Sequence, residues 1–173
     1  MGKRSNFNRV ERDFYPTPYQ AIIPLLPHLA DKTLFAEPCC GNGALVKHLI
    51  KHGHYPYWMS DVEPIIELGV KADALSLTVP LQQADCIITN PPWSRDILHP
   101  MIEHFMKQNV TWLLFDADWA HTRQSAELIR YCSRIVSVGR LKWIPDSKMT
   151  GKDNCCWYQF QKTIVDRTVF VGR

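Results

Sequence analysis

Thr33-Leu34-Phe35-Ala36-Glu37-Pro38-Cys39-Cys40-Gly41-Asn42-Gly43-Ala44-Leu45-Val46-Lys47-His48-Leu49-Ile50 decides how this chain is folded. The run Thr33–Ala36 has the length and apolar character of a short buried strand, and Glu37-Pro38 ends it because proline cannot extend a ladder. Two glycines then punctuate a tight turn, and the segment from Ala44 to Ile50 has helical apolar spacing. Strand, glycine turn and helix in that order open a parallel α/β unit. Glycine at 41 and 43 also lets the backbone pass close to a ligand, since it has no Cβ and accepts positive φ.

Outward from this unit the alternation continues. Tyr57–Ser60 is a second strand ended by Asp61, and Pro64–Leu68 a short helix. Ala72-Asp73-Ala74 and Cys86-Ile87-Ile88 mark further strand ends. Arg95–Lys107 is a helix candidate in spite of Pro100, which counts against it, Val110–Phe115 a buried strand and His121–Tyr131 a helix. Ile135–Val138 and Trp157–Phe160 supply the last strands. The expected fold is α/β, a Rossmann-like doubly wound and mostly parallel sheet. Ligands in such sheets lie beyond the carboxyl ends of the strands, near the switch point. Glu37, the 41–43 turn, Asp61, Asp73 and Asn90 all fall at such ends.

With 173 residues, 46% hydrophobic and 21% charged, the chain reads as one soluble domain able to bury a core. No apolar stretch approaches the roughly 18 residues of a membrane span, and the basic start has no apolar segment behind it as a secretory signal has. Six cysteines include the adjacent pairs Cys39-Cys40 and Cys155-Cys156 without a C-x-x-C. That usage argues against a disulfide framework and a metal site and favours a reducing, cytoplasmic setting. The net charge of +3 is uneven: residues 1–12 carry four basic side chains against one acid, and residues 140–173 seven against three. Basic ends around an acidic middle suit a nucleic-acid surface beside a small-molecule pocket, and equally a solvated surface with charged termini.

The glycine turn lacks the third glycine of a dinucleotide fingerprint, Val46 standing in its place, and no P-loop is present, so pyrophosphate binding is disfavoured. Asp61, roughly twenty residues beyond the turn, stands where an acid grips ribose hydroxyls. Glu37 attracts an ammonium group, and Asp73 can accept from an adenine amine. An ammonium, a ribose and an adenine without phosphate together describe S-adenosylmethionine. Asn90-Pro91-Pro92-Trp93 follows the apolar run Ala84–Thr89 directly. The Asn90 side-chain oxygen and the Pro91 carbonyl form a corner with no competing donor from either proline, suited to a planar amine, and Trp93 offers a stacking face.

In this order, Glu37–Gly43, Ser60-Asp61-Val62-Glu63-Pro64, Ala72-Asp73-Ala74-Leu75 and Asn90–Trp93 resemble the motifs of amino-group methyltransferases. Asp13-Phe14-Tyr15-Pro16-Thr17-Pro18 resembles the N-terminal motif of phage-type DNA adenine-N6 methyltransferases. The resemblance spans Asp13 to Phe160. It implies a class I fold using S-adenosylmethionine, with Tyr15, Thr17 and Pro18 around the methionine end. Glu37 then meets the amino group, Asp61 the ribose and Asp73 the adenine, with Gly41 and Gly43 in the turn. The implied catalytic corner is Asn90, Pro91, Pro92 and Trp93, acting on a base flipped from its stack. Trp157 or Tyr158 is the implied second aromatic wall, set against a reading of both as core.

The whole chain, 1–173, is expected to be a single methyltransferase domain. Residues 1–30 form its basic N-terminal segment, and 145–154, with Lys148 and Lys152, its substrate loop. No stretch is long enough for a separate recognition domain, so low sequence specificity or recognition by a second copy or partner is expected. DNA is favoured over RNA as substrate. An RNA amino-methyltransferase, a protein-glutamine methyltransferase and a silent nucleic-acid-binding domain are the rival readings. Pro38-Cys39, inside the turn, reads as structural, Trp112 and Trp143 as core, and the role of Asp116 and Asp118 is open.

Overall fold

The run Thr111-Trp112-Leu113-Leu114-Phe115 is apolar throughout because both of its faces are covered, the pattern of a central strand in an α/β sheet. In the computed structural model, which describes residues 15–144 and 150–173, it forms β5 (Thr111–Asp116). The sheet also contains β1 (Leu34–Glu37), β2 (Tyr55–Asp61), β3 (Val70–Lys71), β4 (Cys86–Thr89), β6 (Cys132–Arg140), β7 (Asn154–Phe160) and β8 (Val169–Val171). Their spatial order is β3-β2-β1-β4-β5-β7-β6-β8. Every pairing is parallel except those of β7, which runs antiparallel to β5 and β6. The sheet is therefore doubly wound and mostly parallel, as its sequence leads one to expect. Its order turns between β1 and β4, which opens a crevice at their carboxyl ends.

Side chains alternate across the sheet. Leu113 and Phe115 face the layer of α3 (Val79–Gln83), α4 (Arg95–Gln108) and α5 (Ala126–Ile129), packing with Leu81, Ile102, Phe105 and Leu128. Trp112 and Leu114 face α1 (Tyr19–Ile22) and α2 (Ala44–Ile50), packing with Ile22, Leu45 and Leu49. Phe105, Ile102 and Leu113 are fully buried. Each such side chain contributes roughly 1.5–3 kcal/mol through removal from water. No helix of the described residues is long and apolar enough to cross a membrane.

Two local expectations are corrected, and the helix expected over 95–107 is found. Residues 64–68 form no helix, because the Ile65 and Ile66 N–H groups donate to the Gly41 carbonyl instead of to their own segment. His121–Tyr131 is not one helix but a 3-10 turn Arg123–Ser125 and the short α5. Ser125 Oγ donates to the Ala120 and Thr122 carbonyls and Thr122 Oγ1 to Trp119 O, occupying carbonyls that a continuous helix needs. Pro100 does not interrupt α4, whose buried face of Leu98, Met101, Ile102, Phe105 and Met106 outweighs one missing N–H. The short elements α1, α3 and β8 carry too few residues to show a period.

Candidate active site

The carboxyl ends of β1, β2 and β4 open into a cavity of about 1090 Å³. The glycine turn forms its floor, tied to β2 by Cys40 N–H to Ser60 O at 2.9 Å and closed by Gly43 N–H to Cys40 O at 2.7 Å. Gly41 and Gly43 both have positive φ, 48° and 72°. A Cβ at Gly43 would have to displace the end of the Ile66 side chain, and the left-handed φ is what makes glycine necessary there. Asn42 Oδ1 accepts from Ala44 N–H at 3.1 Å, fixing the entry into α2.

The three expected acids line this cavity with Glu63, which the sequence reading did not single out. Asp61 holds the turn as well as facing the cavity, since Oδ2 accepts from Gly41 N–H at 2.9 Å and Oδ1 from Glu63 N–H at 3.0 Å. One lone pair on each oxygen is left over. Asp73 Oδ1 accepts from Leu75 N–H at 3.0 Å and caps a 3-10 turn, so it is a cap and a cavity group at once. Glu37 is 2% exposed, and its Oε2 has no partner. Burial, then the neighbouring Asp61 charge, pushes its carboxyl well above the usual range. An orphan buried carboxyl oxygen facing a cavity fits an ammonium group. Burial likewise pushes the adjacent Cys39 thiol up, so it presents no thiolate at neutral pH and remains structural.

Asn90 closes the crevice at the end of β4. Its Nδ2 donates to Tyr15 O at 3.4 Å and Thr17 Oγ1 at 3.3 Å. Its Oδ1 accepts from Trp93 Nε1–H at 3.2 Å, a hydrogen that Trp93 shares with Leu114 O at 3.2 Å. Tyr15, Pro16 and Thr17 line the same cavity, with Pro92 and Ser94, whereas Pro91 is buried behind it and Pro18 is half-buried at the start of α1. Trp93 is half-buried and packs edge-to-face with Trp143, ring centres 5.5 Å apart at 82°, and Tyr15 also meets Trp143, at 6.2 Å.

The aromatic wall is therefore not where the resemblance puts it. Trp157 and Tyr158 are both fully buried. Trp157 Nε1–H donates to Ala21 O at 2.7 Å, and Tyr158 stacks on Phe115 at 4.1 Å with its hydroxyl donated to Asp116 and Ala117 carbonyls. They are core residues and cannot flank a substrate. Trp143, expected in the core, is the half-buried ring beside Trp93. Its signal was its setting, between Lys142 and the polar stretch 145–154.

Trp143 rides on the β6–β7 hairpin, closed by Gly151 N–H to Leu141 O at 2.7 Å, which leaves Arg140, Lys142 and Lys152 exposed. Lys148 lies outside the described residues. All six cysteines are unpaired. Asp116 caps its own turn through Asp118 N–H at 3.0 Å, with its carboxyl raised by burial.

No protein-family model matches the chain, and no curated protein matches it significantly. Solved structures nonetheless share its fold. A proposed RNA methyltransferase from Pyrococcus horikoshii superposes with a TM-score of 0.61 at 18% identity, over 92% of this chain and 91% of its own. A proposed class I S-adenosylmethionine-dependent methyltransferase from Listeria monocytogenes gives 0.63 at 12% identity, over 96% and 68%. The modification subunit of a proposed type I restriction enzyme from Vibrio vulnificus gives 0.53 at 13%, over 85% of this chain but 44% of the subunit. At these identities the likeness establishes architecture. The chain has the Rossmann-like fold of class I S-adenosylmethionine-dependent methyltransferases.

Proposed function

We propose that this protein transfers a methyl group from S-adenosylmethionine to an exocyclic amine of a nucleic-acid base, the N6 amine of adenine in DNA, with low sequence specificity. The observation that carries the reading is the meeting of Asn90 and the acid-lined cavity at the carboxyl ends of β1, β2 and β4, with Glu37, whose buried Oε2 is unpartnered, in its lining. Glu37 suits the cofactor ammonium, Asp61 and Glu63 the ribose hydroxyls and Asp73 the adenine amine, while Gly41 and Gly43 keep the floor open. When bound, the cofactor supplies an electrophilic methyl group on a sulfonium.

The lone pair of an aryl amine is delocalised into its ring, which makes the nitrogen a poor nucleophile. Accepting one of its hydrogens at Asn90 Oδ1 favours positive charge on nitrogen in the transition state, while the Pro91 carbonyl, expected as the second acceptor, belongs to a residue outside the cavity lining. Trp93 and Trp143 offer ring surface for a flipped base. Arg140, Lys142 and Lys152 offer charge for phosphates beside it. The likeness to a proposed RNA methyltransferase supports RNA as the second reading of the same site.

Transfer of labelled methyl to unmethylated duplex DNA, single-stranded DNA and total RNA in parallel, followed by nucleoside separation, decides between them. N6-methyldeoxyadenosine spread over many sequence contexts is the expected product. Label confined to RNA selects the second reading, and a single methylated DNA motif from the protein alone contradicts low specificity.

A further inference from the structure

The hydrogen-bonding positions of the Asn90 amide can be assigned atom by atom. Tyr15 O is a carbonyl and only accepts, so the atom 3.4 Å from it is the amide nitrogen, which also lies 3.3 Å from Thr17 Oγ1. The indole only donates, so the atom 3.2 Å from Trp93 Nε1 is Oδ1. Flipping the amide would set N–H against N–H at Trp93 and oxygen against oxygen at Tyr15. Both amide hydrogens and one oxygen lone pair are thus engaged by the protein, and one lone pair is left. The indole hydrogen is shared with the carbonyl of the fully buried Leu114, which anchors the arrangement to β5.

We propose that Trp93 and Thr17 are positioning residues that clamp Asn90 in one orientation, leaving a single Oδ1 lone pair for the substrate amine. The proposal rests on the reading of Asn90 as the amine acceptor. It gives tryptophan at position 93 a task beyond stacking, since phenylalanine keeps a ring but brings no N–H to Oδ1. Thr17 and Tyr15 also line the cavity assigned to the cofactor, so the two substrates of the reaction meet the same segment. A preset acceptor lowers the reorganisation needed when charge develops on nitrogen, which is a kcat effect and not a binding effect.

Two near-isosteric replacements remove one clamp bond each: Thr17→Val deletes Oγ1, and Trp93→3-benzothienylalanine exchanges the indole N–H for sulfur while keeping the bicyclic ring. With an adenine-containing oligonucleotide, each is expected to lower kcat roughly tenfold, the scale of one lost hydrogen bond to a reacting group. Both variants are read at saturating cofactor, because Thr17 also lines the cofactor cavity, and KM for the oligonucleotide stays within about twofold on the same reasoning. Unchanged kcat in both variants, or a loss carried by oligonucleotide KM, overturns the clamp.

Proton exchange by NMR in the cofactor-free protein separates the clamp from the functional reading. Slow exchange of the Trp93 indole and Asn90 amide protons, accelerated by Thr17→Val, is the expected result, and fast exchange in the unsubstituted protein overturns the clamp. Slow exchange in a protein that methylates no nucleic acid keeps the clamp and overturns the functional reading.

Discussion

The two halves of the site are built differently. The proposed cofactor half draws on β1, β2 and the turns that follow them, and its parts are held mainly by main-chain bonds, Cys40 to Ser60 and Ile65 to Gly41, with one carboxylate, Asp61, accepting from Gly41 N–H. The proposed substrate half is assembled from distant parts of the chain, residues 15–17, 90–93 and Trp143, held mainly by side chains. A half fixed mainly through the backbone tolerates side-chain loss everywhere but at Asp61, and does not tolerate a change at its glycines. A half fixed through side chains loses function one contact at a time while its fold survives.

Gly43→Val sharpens this contrast most. A branched side chain at φ 72° strains the turn and displaces the Ile66 side chain, so folding stability falls by about 1–3 kcal/mol. Chemical denaturation reads this directly, and an unchanged midpoint breaks the claim that the turn is fixed by its backbone.

Asp61→Ala removes the acceptor for two backbone N–H groups. Cofactor binding weakens by roughly 1.5–3 kcal/mol, with a loss of stability beside it. Calorimetry and thermal melting measured together test whether Asp61 holds the turn as well as the ligand.

On the other half, Trp143→Ala leaves cofactor affinity unchanged and weakens oligonucleotide binding by about 1–3 kcal/mol, one base-stacking surface. Trp157→Phe does the opposite: it removes the buried bond to Ala21 O, lowering stability while sparing oligonucleotide affinity. If the two variants exchange phenotypes, the assignment of the aromatic wall fails.

The smallest effect is one of pH. Below the ordinary carboxylate range Glu37 is neutral whether the chain is folded or not. As pH rises through that range the unfolded chain releases a proton that buried Glu37 retains, so the stability of the cofactor-free protein falls until pH reaches its raised value. An ammonium ligand pairs with the ionised form, so over the same window affinity for S-adenosylmethionine climbs, at most about tenfold per unit. Glu37→Gln flattens both profiles.

The same contrast explains what could be read without a structure. Strand β1, the glycine turn and α2 are contiguous, so their acids and glycines carry positional meaning along the chain itself. Asn90 was legible for the same reason, standing directly after an apolar strand. Trp143 was not, and Trp157 and Tyr158 stood between core, which they are, and wall, because an aromatic residue in or beside a strand reads alike whether its ring enters the core or the crevice. Only the antiparallel insertion of β7 between β5 and β6 buries Trp157 and Tyr158 on the two faces of the sheet and leaves Trp143 on the hairpin outside it. Local competition was equally hidden: the Ser125 and Thr122 hydroxyls that break up 121–131 act on carbonyls whose positions depend on the fold.

The most direct test of the two-part site is Asn90→Ala, measured twice on one preparation: S-adenosylmethionine affinity by calorimetry and methyl transfer to single-stranded DNA and RNA by label. The account predicts a dissociation constant within about twofold of the unsubstituted protein and transfer reduced by roughly 10²–10³-fold, the scale of losing a group that stabilises developing charge. Retained transfer, or cofactor affinity lost in parallel with it, would contradict the division of labour between Asn90 and the acid-lined cavity.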